Sequence, residues 1–297
     1  MLLPRFELHR PESVTEACRI MAEHRDQAKV LAGGTDLLVN LKKKKLKPSC
    51  VVTLDRLDEL KKINATSEKI VIGARARISD ILRDKTLNDR VGPLKQAAAV
   101  LGSPLIRNLA TVGGNLVTAR PASDMAPPLI AMAANVVLKS SRGEREILLE
   151  NFMTGPGVSL IEPDEILTEI KVASVPAESG GGYEKLGLRK ALEIGIVNVA
   201  AFIALGPDAK TIKTARVVLG AVAPTPIRSP QAEAALVGAE AGAETFNEAA
   251  RASVGDSCAI DDFRGTMEYR CMVLEVLTRR ALEKAWAQIK AKRGERS

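Results

Sequence analysis

"KVLAGGTDLLVN", residues 29–40, runs from a short apolar strand into two glycines, a polar pair and an apolar stretch with helical character. Gly33 and Gly34 can adopt positive φ and leave room for a ligand against the backbone. The N–H groups of Gly33, Gly34, Thr35 and Asp36 can form an anion cradle beside a helix start, and Thr35 adds a hydroxyl donor. Asp36 is an awkward neighbour for a diphosphate. It either caps the following helix or points away, so its backbone is expected to matter more than its carboxylate. On this stretch alone a tight turn and a phosphate site both stay open. The chain has no GxGxxG fingerprint and no GK dipeptide, so a nucleotide here requires a non-Rossmann scaffold.

Composition bounds the alternatives. The 297 residues suffice for two or three modest domains, with 46% hydrophobic and 27% charged residues, as in water-soluble proteins. Aromatics are only 3%, so the cores must be built from Ala, Val, Leu and Ile. A net charge of +7 favours anionic ligands or acidic partners but is too mild to argue for nucleic acid. Cys18, Cys50, Cys258 and Cys271 form no CxxC pair, and His9 and His24 are the two histidines, so no intrinsic zinc or iron–sulfur site is expected. Scattered thiols fit a reducing compartment. No stretch is long and apolar enough for a bilayer and no signal peptide is visible, which makes a cytoplasmic protein without membrane insertion the expectation. The basic run Lys42–Lys47 reads as a solvated helix end, with an acidic partner surface as the next choice.

Along the chain, "PESVTEACRIMAEH" predicts a helix, with Ser13 and Glu16 as a capping box and Val14, Ala17, Cys18 and Met21 inward. "CVVTL" and "KIVIGA" read as strands. Ser79 is the expected N-cap of "SDILRDKTL", and "VGPLKQAAAVLG" an alanine-rich buried helix. A helix is expected to start near Asp124, with Pro127 and Pro128 in its first turn. "NVVLKS" and "REILLENF" form a hairpin, and "EILTEIKV" alternates as a strand. "VPAESGGG" is the best linker signal. After it, "YEKLGLR", "IGIVNVAAFIAL" and "TARVVLGAV" read as strands, followed by helices from Gln231 onward. The fold class is α+β.

A second turn, "TVGGN" (residues 111–115), repeats the first pattern, so the two turns could serve the two ends of a diphosphate. Asn115 supplies an amide. Asp124 reads either as an N-cap or as an acceptor for ribityl or ribose hydroxyls. Four stretches stand in order: "AGGTDLL", "ATVGGNL" with "PASDMAPPLIAM", "YEKLGLRKALEIGIVNVAA" and "DDFRGTMEYRCMVLEVLTRRAL". Together they resemble the FAD-binding medium subunit of the molybdenum hydroxylases, the carbon monoxide dehydrogenase and xanthine dehydrogenase type enzymes, over essentially the whole chain.

That resemblance implies a two-subdomain vanillyl-alcohol-oxidase-like (PCMH-type) FAD-binding domain at 1–176, with subdomains of about 1–56 and 57–176. A carbon monoxide dehydrogenase flavoprotein-type C-terminal domain, a small antiparallel sheet plus helices, would follow at 177–297. FAD would lie extended between the subdomains. Val30, Leu31, Ala32, Gly33, Gly34, Thr35, Asp36 and Leu37 match the first diphosphate-binding segment, and Thr111, Val112, Gly113, Gly114 and Asn115 the second. Asp124 sits at a cofactor-contacting aspartate, Leu167 at an apolar flavin contact, and Leu101 where relatives place an aromatic. Lys185 matches a lysine that approaches the flavin pyrimidine edge, where a cation would stabilise the reduced ring.

The implied role is electron transfer. Electrons from [2Fe–2S] clusters on a small partner subunit would reach FAD here and leave to NAD, a quinone or another acceptor. Molybdopterin would sit on a large partner subunit, in a heterotrimeric complex. No catalytic acid–base residue is expected of this chain. His9 and His24 lie outside the matched segments, which implies noncovalent FAD. The alternatives are a self-contained FAD-dependent oxidoreductase of the same superfamily and a non-catalytic basic binding module.

Overall fold

The computed structural model describes residues 3–294 apart from 174, 190 and 191. Lys190 and Ala191, within the quoted "YEKLGLRKALEIGIVNVAA", therefore lie outside the described residues. The first layer consists of β1 (Glu7–His9), α1 (Val14–His24), β2 (Ala28–Leu31), α2 (Leu37–Lys42) and β3 (Cys50–Thr53). Its strands are parallel, in the order β1-β3-β2. A central parallel strand is covered on both faces and needs a continuous apolar run, and every residue of β3 is buried. Ser13 Oγ accepts the Glu16 N–H at 3.1 Å, a cap worth about 1 kcal/mol. Val14, Ala17, Cys18, Ile20 and Met21 form the buried face of α1. The Glu16 carboxylate reaches back one residue further than the expected box, to the N–H of Glu12.

The second layer begins with β4 (Ile63–Ala65), β5 (Lys69–Gly73), α3 (Ile78–Arg83), α4 (Gly92–Val100), α5 (Pro104–Arg107), α6 (Val112–Val117) and α7 (Ala126–Ala131). It continues with β6 (Asn135–Ser140), β7 (Gly143–Leu148), α8 (Leu149–Phe152), β8 (Met153–Gly155), β9 (Val158–Ser159) and β10 (Ile166–Ala173). Five strands form an antiparallel sheet, β4-β5-β10-β6-β7, while β8 and β9 pair separately. Ser79 is not an N-cap: α3 starts one residue before it. The Asp80 carboxylate holds the Arg77 N–H at 3.0 Å, and the Ile78 N–H is taken by the carbonyl of Ala110, a tertiary contact that local sequence does not report.

The third layer consists of β11 (Ser179–Leu186), β12 (Val197–Leu205), β13 (Ile212–Gly220), β14 (Ile227–Arg228), α9 (Pro230–Leu236), α10 (Ala243–Ser253) and α11 (Met267–Gly294). The sheet is antiparallel, ordered β11-β12-β13-β14. Alternate residues of β12 serve two cores. Val199, Ala201 and Ile203 join the core under the C-terminal helices, whereas Ala200, Phe202 and Ala204 join the core of the second layer.

The second half of the expected linker "VPAESGGG", Ser179–Gly182, is a buried strand. A Cβ at Gly180 or Gly182 would lie 2.1 Å from the carbonyl oxygens of Ala285 and Ala281 on α11, so the helix backbone rests directly on the strand. A Cβ at Gly181 would meet the Pro93 ring of α4 at 2.6 Å on the opposite face. The outer edge of β11 is covered by side chains. Gln288 Oε1 and Gln96 Oε1 accept the N–H groups of Gly181 and Tyr183, each at 2.7 Å. The ammonium groups of Lys292 and Lys284 donate to the carbonyls of Ser179 and Tyr183.

The "DDFRGTMEYR" stretch closes this layer. Arg270 is buried and donates to the carbonyls of Ile196 and Ala221 at 2.8 and 3.0 Å, and to Asp262 Oδ1 at 2.6 Å. Hydrogen bonds from Arg264 hold the Asp262 carboxyl far below the usual aspartate range, with Arg270 adding to the effect. After a short 3-10 turn at Val254–Asp256, residues 257–266 are not helical, and their Asp262–Gly265 bridge is an anchor for Arg270.

Candidate functional site

A cavity of about 350 Å³ opens between the β2–α2 turn of the first layer and the α4–α6 region and β10 of the second. Thirteen of the residues singled out from sequence line it: Val30, Ala32, Gly33, Gly34, Thr35, Asp36, Leu37, Leu101, Thr111, Gly113, Gly114, Asn115 and Leu167. Leu31 alternates to the other side of its strand, and Val112 is fully buried in the second-layer core. Neither is on the wall, nor are Asp124 and Lys185.

Each glycine turn packs closely against the second layer. A Cβ at Gly33 would lie 2.0 Å from the carbonyl oxygen of Leu109, and one at Gly113 2.7 Å from the Cβ of Ala74. Gly34 has φ +75°, a conformation that glycine adopts without steric cost. At Gly114 the only near contact of a Cβ would be Thr111 Oγ1 at 2.8 Å.

Their polar groups differ. In the second turn the N–H groups of Val112–Asn115 are committed inside the protein: Val112 to Ala76 O, Gly113 to Ala74 O, Gly114 to Thr111 Oγ1 and Asn115 to Thr111 O. In the first turn no N–H of Gly33, Gly34, Thr35 or Asp36 finds an acceptor among the described residues. Half-buried backbone donors require partners, and Gly33, Gly34 and Thr35 are half-buried on the cavity wall, with the exposed Asp36 beside them. The Asp36 carboxylate makes no cap to α2, and the residue is exposed. The second turn offers side chains instead. Asn115 Oδ1 accepts from Ser123 Oγ at 2.6 Å and from the Met125 N–H at 3.2 Å, which fixes the amide.

Sequence reading missed Leu54, Ala74, Arg75, Ile106, Ala110, Val117, Thr118, Ile161, Glu165 and Ile166, all on the wall. Arg75 is buried, with one hydrogen bond to the carbonyl of Leu57 at 3.1 Å. It directly follows the strand "KIVIG" and an alanine, and a cation at such a place was the available signal. Glu165 is engaged by Arg145 at 2.6 and 2.8 Å. Asp36, Arg75 and Glu165 are the ionisable residues of the wall among those described.

Residues 4–175 match the family described as the FAD binding domain in molybdopterin dehydrogenase, and residues 183–285 match the CO dehydrogenase flavoprotein C-terminal domain. The chain belongs to this FAD-binding family. The carbon monoxide dehydrogenase medium chain of Hydrogenophaga pseudoflava is 31% identical, over 97% of this chain and 99% of that protein. The nicotinate dehydrogenase FAD-subunit of Eubacterium barkeri is 34% identical over 81% of this chain and 82% of its own length. Among solved structures, the H. pseudoflava carbon monoxide dehydrogenase lacking the Mo-pyranopterin moiety superposes with a TM-score of 0.92 at 32% identity, covering 97% of this chain and 99% of that one. These relatives are dehydrogenase subunits, and this flavoprotein is an oxidoreductase component that binds FAD. The cavity suits the cofactor: unpartnered N–H groups for an anion, hydroxyl and amide side chains, and apolar walls at Leu101, Ile106, Ile166 and Leu167.

Asp124 and Lys185 form a buried pair behind this wall. Lys185 Nζ donates to Asp124 Oδ2 at 2.9 Å, and Tyr183 donates its hydroxyl to Oδ1 at 2.7 Å. The side chains of Lys185 and Asp124 are 7% and 9% exposed. Tyr183 and Lys185 reach the same carboxylate because they share one face of β11, a Y-x-K alternation readable in sequence. Burial pushes the Asp124 carboxyl above the usual range, while Lys185 and then Tyr183 work against that rise. Burial, with Asp124 alongside, lifts the Tyr183 phenol far above its ordinary value, so it remains a donor. Asp124 does not cap α7. That helix begins at Ala126, whose N–H is taken by Ser123 Oγ at 3.2 Å, and this leaves Asp124 to face β11. Ser123 and Met125, on either side of Asp124, are the residues that fix Asn115 on the wall.

Proposed function

We propose that this chain is the electron-transfer flavoprotein subunit of a molybdenum hydroxylase complex. Electrons delivered by a partner's [2Fe–2S] clusters would leave this subunit for NAD, a quinone or another acceptor. The observation that carries the reading is the wall itself. Four unpartnered N–H groups face a largely apolar cavity whose acidic residues are an exposed Asp36 and an Arg-bound Glu165. Such a site can hold and orient a redox cofactor but offers no poised acid–base pair. Bound there, FAD supplies the redox chemistry, and the protein supplies binding, orientation and electrostatics.

In this reading the Gly33–Asp36 backbone holds phosphate oxygens, with Asn115 and the hydroxyl of Thr111, at the head of α6, as further donors. Leu101 and Leu167 exclude water from the ring. The Asp124–Lys185–Tyr183 cluster supports Asn115 from behind. Among the described residues no cysteine or histidine stands on the wall, in keeping with noncovalent attachment.

The test is reconstitution of the full-length chain with FAD. One flavin per chain, released by acid, is expected. Gly34→Val and Gly114→Val should each lose it with unchanged circular dichroism. The flavin should be bleached by a molybdenum hydroxylase substrate only when the large and small subunits are present. Oxidation of a small organic substrate by this chain alone would make it a self-contained oxidoreductase. Failure to take up flavin at all would leave a basic binding module.

A further inference from the structure

His9, His24 and Cys50 are far apart in sequence and show no ligand spacing, yet the first layer brings them together. His9 ends β1, His24 ends α1, and Cys50 begins β3. The parallel register sets Glu7 beside Cys50 and His9 beside Val52, so Glu7, His9 and Cys50 share one face of the sheet, and α1 brings His24 to the same cluster. One donor atom from each of the three residues lies within 4.8 Å of the others. The imidazole centroids are 5.5 Å apart with the rings tilted by 49°. Cys50 is 1% exposed. His9 Nε2 is buried without a hydrogen bond, although Glu7 Oε1 stands 3.2 Å away outside bonding geometry.

We propose that His9, His24 and Cys50 bind one zinc-type divalent ion, which ties β1, α1 and β3 together. Two imidazoles and a thiolate are ligands suited to a tetrahedral zinc centre, with Glu7 or water completing the four. Ligands about 2.0–2.3 Å from such an ion lie roughly 3.3–3.8 Å from one another, so small side-chain rotations close the observed cluster. On binding, the Cys50 thiol gives its proton to solvent and the ion keeps its oxidation state. His24 sits at the C-terminal end of α1, where the helix dipole favours a cation.

The site has a structural reason. The core beneath this sheet is the smallest of the three, and small cores gain most from a metal tie. β3 also pairs with β2, whose end carries the first glycine turn, so the ion would stiffen the support of the flavin loop without touching it.

Chelator-stripped full-length protein titrated with cobalt(II) tests this. One equivalent should produce a thiolate-to-metal charge-transfer band and the intense visible bands of a tetrahedral ion. Zinc should displace the cobalt and raise the thermal midpoint. Cys50→Ser should abolish the charge-transfer band, whereas Cys18→Ser, at the other buried thiol, should keep it. His24→Asn should weaken binding by about tenfold or more, with unchanged circular dichroism and flavin content. Absence of the band in the wild-type protein, or its persistence in Cys50→Ser, would overturn the assignment.

Discussion

Asp124 has both carboxylate oxygens committed inside the protein, to Lys185 and to Tyr183. Removing one member of such a buried pair strands the other. Lys185→Met is expected to destabilise the chain by about 3–5 kcal/mol, most of it recovered when Asp124→Asn is added. Urea unfolding of the two variants measures this. A lowered flavin potential in Lys185→Met would show that the ammonium also acts on the ring, and an unchanged potential would confine it to holding Asp124. At this scale the sequence reading was uneven for a physical reason. Asp124 and Lys185 were visible as residues, but their partnership was not, because it depends on α7 being capped by Ser123. Arg75 was missed because a cation after a strand is ordinary until the fold places it on a cavity wall. His9, His24 and Cys50 illustrate the same limit: a ligand set drawn from three elements leaves no spacing to recognise.

Glycine runs carry opposite meanings at the level of the element. In "VPAESGGG" they suggested a flexible joint, because glycine is the residue of turns and linkers. In β11 the same residues are there because α11 and α4 approach too closely for a side chain. The deciding contacts, Ala281, Ala285 and Pro93, are distant in sequence, so no local window could distinguish the two uses. Other elements were legible by contrast: α1 follows from helical spacing, β10 from alternation, and the β6–β7 hairpin, β12 and β13 from short apolar runs. Gly182→Val is expected to destabilise the protein by about 3 kcal/mol or more, since the helix backbone cannot yield to it. Gly155→Ala, where the nearest atom to a new Cβ is 3.9 Å away, should change stability by less than about 0.5 kcal/mol. Thermal denaturation of the pair provides the check, and equal losses would contradict the close approach.

For the whole molecule, the cavity walls come from two layers with separate cores. A ligand held there binds only when both layers are folded and docked. FAD at about 100 times its Kd is therefore expected to raise the unfolding free energy by about 2.7 kcal/mol, seen as a higher thermal midpoint and slower proteolysis of both layers together. Gly34→Val should lack this rise. Protection confined to one layer would mean that the cofactor does not bridge them.

The covered edge of β11 also bears on how the chain is made. Gln288, Lys284 and Lys292 all belong to α11, and that helix follows every other described element in sequence. During synthesis the strand and its neighbours leave the ribosome long before their cover does. Until then, the N–H and C=O groups of a glycine-rich edge are open to pairing with another chain. Timely emergence of α11 is thus as much a condition for a soluble product as its packing is for a stable one.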